Sequence, residues 1–327
     1  MHDVVIIGAG PVGLAAGIEA QRRGLQPLLI EKGALCNSFI GYPTRMEFFS
    51  TPEKLEIGGY PFSTRDYKPS REDALDYYRR VAAAEDLDIR LYEPVMDLQG
   101  ADGNFTVTTD QDTYAARKVV VSTGFYDIPN RMDVPGEDLD KVRHYFKEPY
   151  PYAFTDVAIV GGGNSAAKAA LACYRHDAHV TMVVRGGALD DGVKYWIKPD
   201  LQNRIEEGSI EAHFHTTVEA IEPNALRLDT PDGPAQIDND FVLAMTGYRP
   251  NYELLERFGI AVQDDAARTP VHDEGETFET NREGLYLAGT ICGGCDTSRW
   301  FIENGRFHAE KVMDDIAADL NRAPAVA

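Results

Sequence analysis

The chain has 327 residues, 43% of them hydrophobic, and a formal charge of −21. That length supports two domains with full cores, and the acidity argues against nucleic acid as a partner. Four cysteines, Cys36, Cys173, Cys292 and Cys295, are too few for a disulfide scaffold. No apolar run is long enough to span a bilayer, because the longest, residues 4–18, contains a glycine-proline turn. The first strand starts directly after Met1-His2-Asp3, so the expectation is a cytoplasmic protein with no signal peptide and no membrane partner.

The apolar run Val4 to Ile7 reads as a buried strand that enters Gly8-Ala9-Gly10-Pro11-Val12-Gly13 and then a segment of helical spacing. A second strand, Pro27 to Ile30, ends in Glu31. The stretch Arg45 to Arg71, with Lys54, Arg65 and Lys68, is near neutral in this acidic chain and reads as a docking surface for an anion. The strand Lys118 to Val121 runs into Ser122-Thr123-Gly124. Val157 to Val160 leads into a second glycine turn, Gly161-Gly162-Gly163-Asn164-Ser165-Ala166, again followed by helical spacing, and His179 to Val184 ends in Arg185. Phe241 to Met245 enters Thr246-Gly247-Tyr248-Arg249-Pro250, and the strand 284–289 leads through a loop to a terminal helix. That helix is expected to begin near Asp296 or Thr297, with Asp296, Thr297 or Ser298 as N-cap, and to end near Leu320.

Two strand-turn-helix fingerprints in one chain imply two dinucleotide sites. In each, one small residue permits the tight turn, one lets the backbone approach a pyrophosphate, and one lets helix pack on strand, while the helix N-terminus holds the phosphates. Glu31 is placed to accept the ribose hydroxyls of an adenosine, which suits FAD or NAD. Arg185 at the corresponding point of the second half favours a 2′-phosphate and hence NADPH, the alternative being a solvated arginine. The expected fold is α/β with two Rossmann-like domains. The NADPH domain, residues 125–246, is inserted into an FAD domain made of residues 1–124 and 247–327.

The order of these motifs, closed by Tyr286-Leu287-Ala288-Gly289, resembles low-molecular-weight thioredoxin reductases over nearly the whole chain. That family carries a redox-active Cys-x-x-Cys after a His-Tyr pair. Here His144-Tyr145 is followed by Phe146-Lys147-Glu148-Pro149, with phenylalanine and proline where the sulfurs would be. A closer resemblance is to the YpdA-type branch of bacillithiol disulfide reductases. It rests on Tyr42-Pro43-Thr44 with Phe48-Phe49-Ser50, on 144–148, on Arg185-Gly186-Gly187, and on the string from Phe301 to His308. This resemblance implies a homo-oligomeric enzyme, a homodimer or higher, that passes hydride from NADPH to FAD and reduces a small-molecule disulfide. Two alternatives stay open: a ferredoxin- or flavodoxin-NADP reductase, and a non-catalytic NADPH/FAD redox sensor.

The FAD contacts so expected are Gly8, Gly10, Pro11, Val12, Gly13, Glu31, Lys32, Ser38, Val95, Thr123, Gly124, Gly289, Thr290, Thr297 and Ser298. Those for NADPH are Gly161, Gly163, Asn164, Ser165, Ala166, Arg185 and Gly247. Members of the branch often carry a cysteine at the position of Val12, which cannot be a nucleophile, and the wider superfamily usually has an aspartate at that of Thr290. Cys292 and Cys295 are therefore the substitute candidates for thiol chemistry, with a helix N-terminus expected to favour a Cys295 thiolate; packing is the other reading. His308 reads either as a proton donor near the flavin or as a helix histidine making one hydrogen bond. Phe48-Phe49, Tyr145, Tyr150 and Tyr152 read as a flavin shield or as aromatic packing. No metal site is expected.

Overall fold

The computed structural model describes residues 1–322. It divides into two compact units, one made of Met1–Ile40, Met46–Ile128 and the chain from Tyr248 onward, the other of Gly41–Arg45 and Pro129–Gly247. The chain leaves the first unit after Ile128 and returns at Tyr248, next to the small-residue turns at 122–124 and 246–247. The pairing of Gly41–Arg45 with the second unit has no signal in the sequence.

In the first unit, β1 (His2–Ile7) is followed by α1 (Pro11–Arg22) and β2 (Pro27–Ile30). Val4, Val5 and Ile6 are fully buried, as continuous apolar runs must be when both faces of a parallel sheet are covered. The helix α2 (Arg71–Ala84) starts in a reciprocal cap, Ser70 Oγ accepting from the Asp73 N–H and Asp73 Oδ2 from the Ser70 N–H. There follow β3 (Ile89–Arg90), β4 (Val95–Ala101), β5 (Asn104–Thr109) and β6 (Thr113–Val121). The sheet runs β3-β2-β1-β6-β5-β4. Its first four strands are parallel, with Ile7 opposite both Ile30 and Val121, and β4 to β6 form an antiparallel meander.

The second unit repeats the plan. Its strands β7 (Val142–Arg143), β8 (Asp156–Val160), β9 (His179–Val184), β10 (Glu211–Phe214) and β14 (Phe241–Ala244) form a parallel sheet in the order β10-β9-β8-β14-β7, with α3 (Asn164–Tyr174) after β8 and α4 (Lys198–Glu206) after β9. A meander of β11 (Thr217–Glu222), β12 (Ala225–Thr230) and β13 (Gly233–Asp238) adds Ile221, Leu226 and Leu228 to the core around Ala158, Val183 and Val242. Tyr152 is also buried and packs edge-on against Phe241 with ring centres 5.2 Å apart. In the first unit Phe48 does the same against Phe39, at 5.2 Å.

The chain then returns to the first unit as β15 (Leu285–Leu287), parallel to β6, followed by a turn of 3-10 helix (Thr290–Gly293), α5 (Ile302–Gly305) and α6 (His308–Arg322). The expected helix start at 296–298 is thus corrected: no α-helix begins between the 3-10 turn and Ile302, and the terminal helix itself begins at His308. Gly294, at φ +57, lies so close to residue 267 that a Cβ there would stand 2.3 Å from the Ala267 carbonyl oxygen, and the Cys295 N–H donates to the same oxygen at 2.6 Å. Asp296 accepts from the N–H and hydroxyl of Ser298, closing a local turn instead of capping a helix. Ala309, Val312, Met313 and Ile316 bury one face of α6 completely, and α6 packs along α1. Lys118 on β6, 2% exposed, reaches Asp102 at 2.6 Å and Asp319 of α6, fixing that helix to the sheet.

Candidate functional site

The first glycine turn has the geometry of a phosphate cradle. Gly8, at φ +106, has no room for a side chain, since a Cβ would stand 2.6 Å from the Ser122 carbonyl oxygen. Gly13 is closed by the turn itself, where a Cβ would come within 2.0 Å of the Gly8 oxygen. At Gly10 the position of a Cβ has no protein atom within 4 Å, and Gly10 caps α1 with no side-chain acceptor for its first N–H groups. Tight packing on one side of the turn and clearance on the other fit a pyrophosphate at the helix N-terminus.

Glu31, 7% exposed at the end of β2, accepts from the Ala9 N–H at 2.9 Å and the Gly33 N–H at 3.0 Å. Burial raises its pKa, and the two backbone hydrogen bonds oppose that shift. Each carboxylate oxygen keeps a lone pair able to accept a further hydrogen bond. Lys32 pairs with Asp127 at 2.8 Å. Tyr92 and Glu93 donate their N–H groups to the Gly33 and Glu31 oxygens, which brings the strand start at Val95 near the same edge. Ser38 lies in the short helix Asn37–Gly41.

Sequence-distant residues meet beside this turn. A Cβ on Gly289 would stand 3.1 Å from Val12 Cγ2, and one on Gly305 would stand 3.3 Å from the Gly289 Cα, so Val12, Gly289 and Gly305 are packed together. Thr290 places its hydroxyl 3.3 Å from where Gly124 would carry a Cβ. The Gly289 N–H donates to His308 Nδ1 at 3.1 Å. His308 therefore carries its proton on Nε2; burial, with His272 and Lys311 adding to it, pushes its pKa down to about 3. The ring stacks on Phe278 at 4.0 Å and meets Trp300 edge-on at 4.4 Å. A histidine so placed is held neutral at ordinary pH and accepts at Nδ1.

All four cysteines are free. Cys292 is fully buried with Sγ 3.8 Å from His308 Nδ1, and burial raises its pKa far above the ordinary thiol value. Cys295 is half-buried, its Sγ 3.3 Å from the Tyr252 hydroxyl. With no helix starting at 296–298, the dipole expected to favour a Cys295 thiolate is missing there. Thr297 and Ser298 lie in the local turn around Asp296.

The second turn repeats the first, with Ala166 in place of Gly13 and a further difference beside it. Gly161, at φ +136, would carry a Cβ 2.4 Å from the Met245 oxygen, and Gly163 caps α3 without a side-chain partner. Ser165 and Ala166 form the first turn of α3, with Ala166 fully buried against the strand. Arg185 is exposed at the end of β9. Gly247, at φ +89, receives the Asn130 N–H on its oxygen at 2.9 Å. That further difference is the loop after β9. Asn164 donates to the Gly192 oxygen at 2.8 Å and accepts from the Lys194 N–H at 3.0 Å, and the Asp190 carboxylate lies over Gly162 and Gly163. No sequence signal pointed to Asp190, or to Gly305 as a packing partner of Val12.

Paired dinucleotide turns on two Rossmann-type units define a nucleotide-dependent oxidoreductase, and residues 5–289 match the family model of pyridine nucleotide-disulphide oxidoreductases. The chain belongs to that family, whose members use flavin and nicotinamide cofactors. It is 42% identical to bacilliredoxin reductase Bdr of Bacillus subtilis (strain 168), over 98% of this chain and 99% of that protein. Among solved structures it is similar to bacillithiol disulfide reductase Bdr (YpdA) from Bacillus cereus, with a TM-score of 0.95, 41% identity and coverage of 97% and 99% of the two chains. The enzyme of that name from Staphylococcus aureus gives 0.94 and 39%, over 97% and 98%. Among the described residues no helix is long and apolar enough to cross a membrane, and no cluster of three or more His, Cys, Asp or Glu is arranged to hold a metal.

Proposed function

We propose that this enzyme is an NADPH-dependent FAD reductase of a low-molecular-weight disulfide such as bacillithiol disulfide. The observation that carries the reading is the thiol content of the second unit. It contains one cysteine, Cys173, fully buried in α3, so no dithiol there can relay electrons to a protein partner. The full-length similarity to the Bdr enzymes supports the choice of substrate.

Gly8, Gly10, Gly13 and Glu31 would hold FAD, and Gly161, Gly163 and Arg185 would hold NADPH. When bound, these groups would supply hydride transfer from the nicotinamide and two-electron reduction of the disulfide. The chain contributes orientation. Glu31 braces the first turn through Ala9 and Gly33, and neutral His308 holds Gly289 against Val12. Burial keeps Cys292 protonated, which leaves Cys295 as the sulfur open to disulfide exchange. Arg185 would pair with the 2′-phosphate and favour NADPH over NADH.

The test is anaerobic reduction of the holoenzyme with NADPH, then rapid mixing with oxidised bacillithiol, for wild type, Cys292→Ala and Cys295→Ser. Fast flavin reoxidation by wild type supports the assignment, and its loss in Cys295→Ser alone places the thiol step at Cys295. Reoxidation by ferredoxin but not by the disulfide would overturn the substrate assignment.

A further inference from the structure

The two glycine turns differ in what lies beside their third residue, a difference whose meaning rests on the reading that the second turn holds the nicotinamide nucleotide. At Gly10 the direction from which a pyrophosphate approaches has no protein atom within 4 Å of a would-be Cβ. At Gly163, the matching residue, a Cβ would stand 3.2 Å from Asp190 Oδ2, and one on Gly162 would stand 3.2 Å from Asp190 Oδ1. Both oxygens of one carboxylate thus border the N-terminus of α3, which lacks a side-chain cap of its own.

The chain holds Asp190 there by several independent contacts. Its N–H donates to the Gly162 oxygen at 3.0 Å, and its carbonyl accepts from the Val193 N–H at 3.1 Å. The Asn164 amide fastens Gly192 and Lys194, while Leu189 and Val193, each 4% exposed, anchor the loop on either side. The nearby Lys198 ammonium spreads itself over the Leu189 and Asp190 carbonyl oxygens and the Asp191 carboxylate. Among the described residues no cation forms an ion pair with the Asp190 carboxylate.

We propose that Asp190 sets the nucleotide affinity of this site by placing a negative charge against the position of the pyrophosphate. A carboxylate at a helix N-terminus is favourable by itself. A pyrophosphate brought to the same N–H groups must repel it or displace it. Because the pyrophosphate is common to NADP⁺ and NAD⁺, Asp190 weakens both alike and leaves their discrimination to Arg185.

The experiment is calorimetric titration of the FAD-loaded enzyme with NADP⁺ and with NAD⁺, for wild type, Asp190→Asn and Gly163→Val. Asp190→Asn is expected to tighten both nucleotides by a similar factor, roughly three- to tenfold at low ionic strength. The gain should shrink at about 0.5 M salt, where exposed charges are screened. Unchanged or weaker binding by Asp190→Asn would overturn the proposal, because a role confined to holding the loop predicts a loss with no salt dependence. Gly163→Val should abolish binding while leaving the flavin spectrum intact. If it binds NADP⁺ as wild type does, the assignment of the second turn fails, and the role of Asp190 fails with it.

Discussion

The backbone N–H of Gly289 donates to Nδ1 of His308 at 3.1 Å, tying the turn after β15 to the first residue of α6. Gly289 sits at φ +87 with Val12 and Gly305 against its Cα, so the histidine acceptor fixes the point where the last strand meets the first glycine turn. The bond needs a neutral ring, because a doubly protonated imidazole has no lone pair to offer.

This gives a pH prediction of definite sign. His308 has its pKa lowered from 6.5 to about 3, so below pH 6.5 the unfolded chain binds one proton more than the folded chain. Its contribution to stability is complete above pH 6.5 and falls by about 1.4 kcal/mol per pH unit on acidification toward pH 3. Denaturant titrations of the holoenzyme at pH 7, 6, 5 and 4 should show that slope reduced by one proton in His308→Asn, which keeps an acceptor near Nδ1. An unchanged slope would mean that His308 is protonated in the folded protein.

The two cysteines of the terminal loop should differ in reactivity. Cys292 is fully buried with a strongly raised pKa, whereas Cys295 is half-buried beside Tyr252. A thiol reagent applied to native enzyme and read by mass spectrometry should modify Cys295 first and Cys292 only after unfolding. Equal labelling of both would contradict the burial of Cys292.

Adding a single methyl group at Gly8 should disable the first turn. The Cβ would meet the Ser122 oxygen at 2.6 Å on a backbone at φ +106, so the β1–α1 junction must shift away from β6. Gly8→Ala is expected to cost on the order of 2–4 kcal/mol of stability and to release the flavin during purification. The absorbance ratio of flavin to protein checks the second effect, and thermal unfolding checks the first.

Lys118 is the buried cation between Asp102 and Asp319. Burial alone would lower its pKa, but hydrogen bonds to the two carboxylates outweigh that effect and raise it. Lys118→Ala should destabilise the first unit by about 3–5 kcal/mol, leaving a cavity and two carboxylates without their cation. Lys118→Met should recover part of that loss by filling the space, as measured by urea unfolding.

Much of the architecture was legible because buried parallel strands and dinucleotide turns carry local signals. Pro27–Ile30 and His179–Val184 match their expected bounds, since an apolar run ending at a glycine turn or a charged residue leaves little choice of register. The terminal loop departs from its local signals for an equally physical reason. Asp296, Thr297 and Ser298 are good caps in isolation, but the Ala267 carbonyl captures the chain at Cys295 and delays the helix to Ile302.

From the sequence alone, then, came the two turns, the strands that precede them, and the carboxylate at Glu31, all features written in runs of a few neighbouring residues. Tertiary structure decided what no local pattern can encode: His308 acting on Gly289, Cys292 and Cys295 facing different partners, Gly305 closing on Val12, and Asp190 set against the second turn. Each of these depends on which distant segment packs against a given atom, and that packing determines whether a histidine is neutral or a thiol is inert.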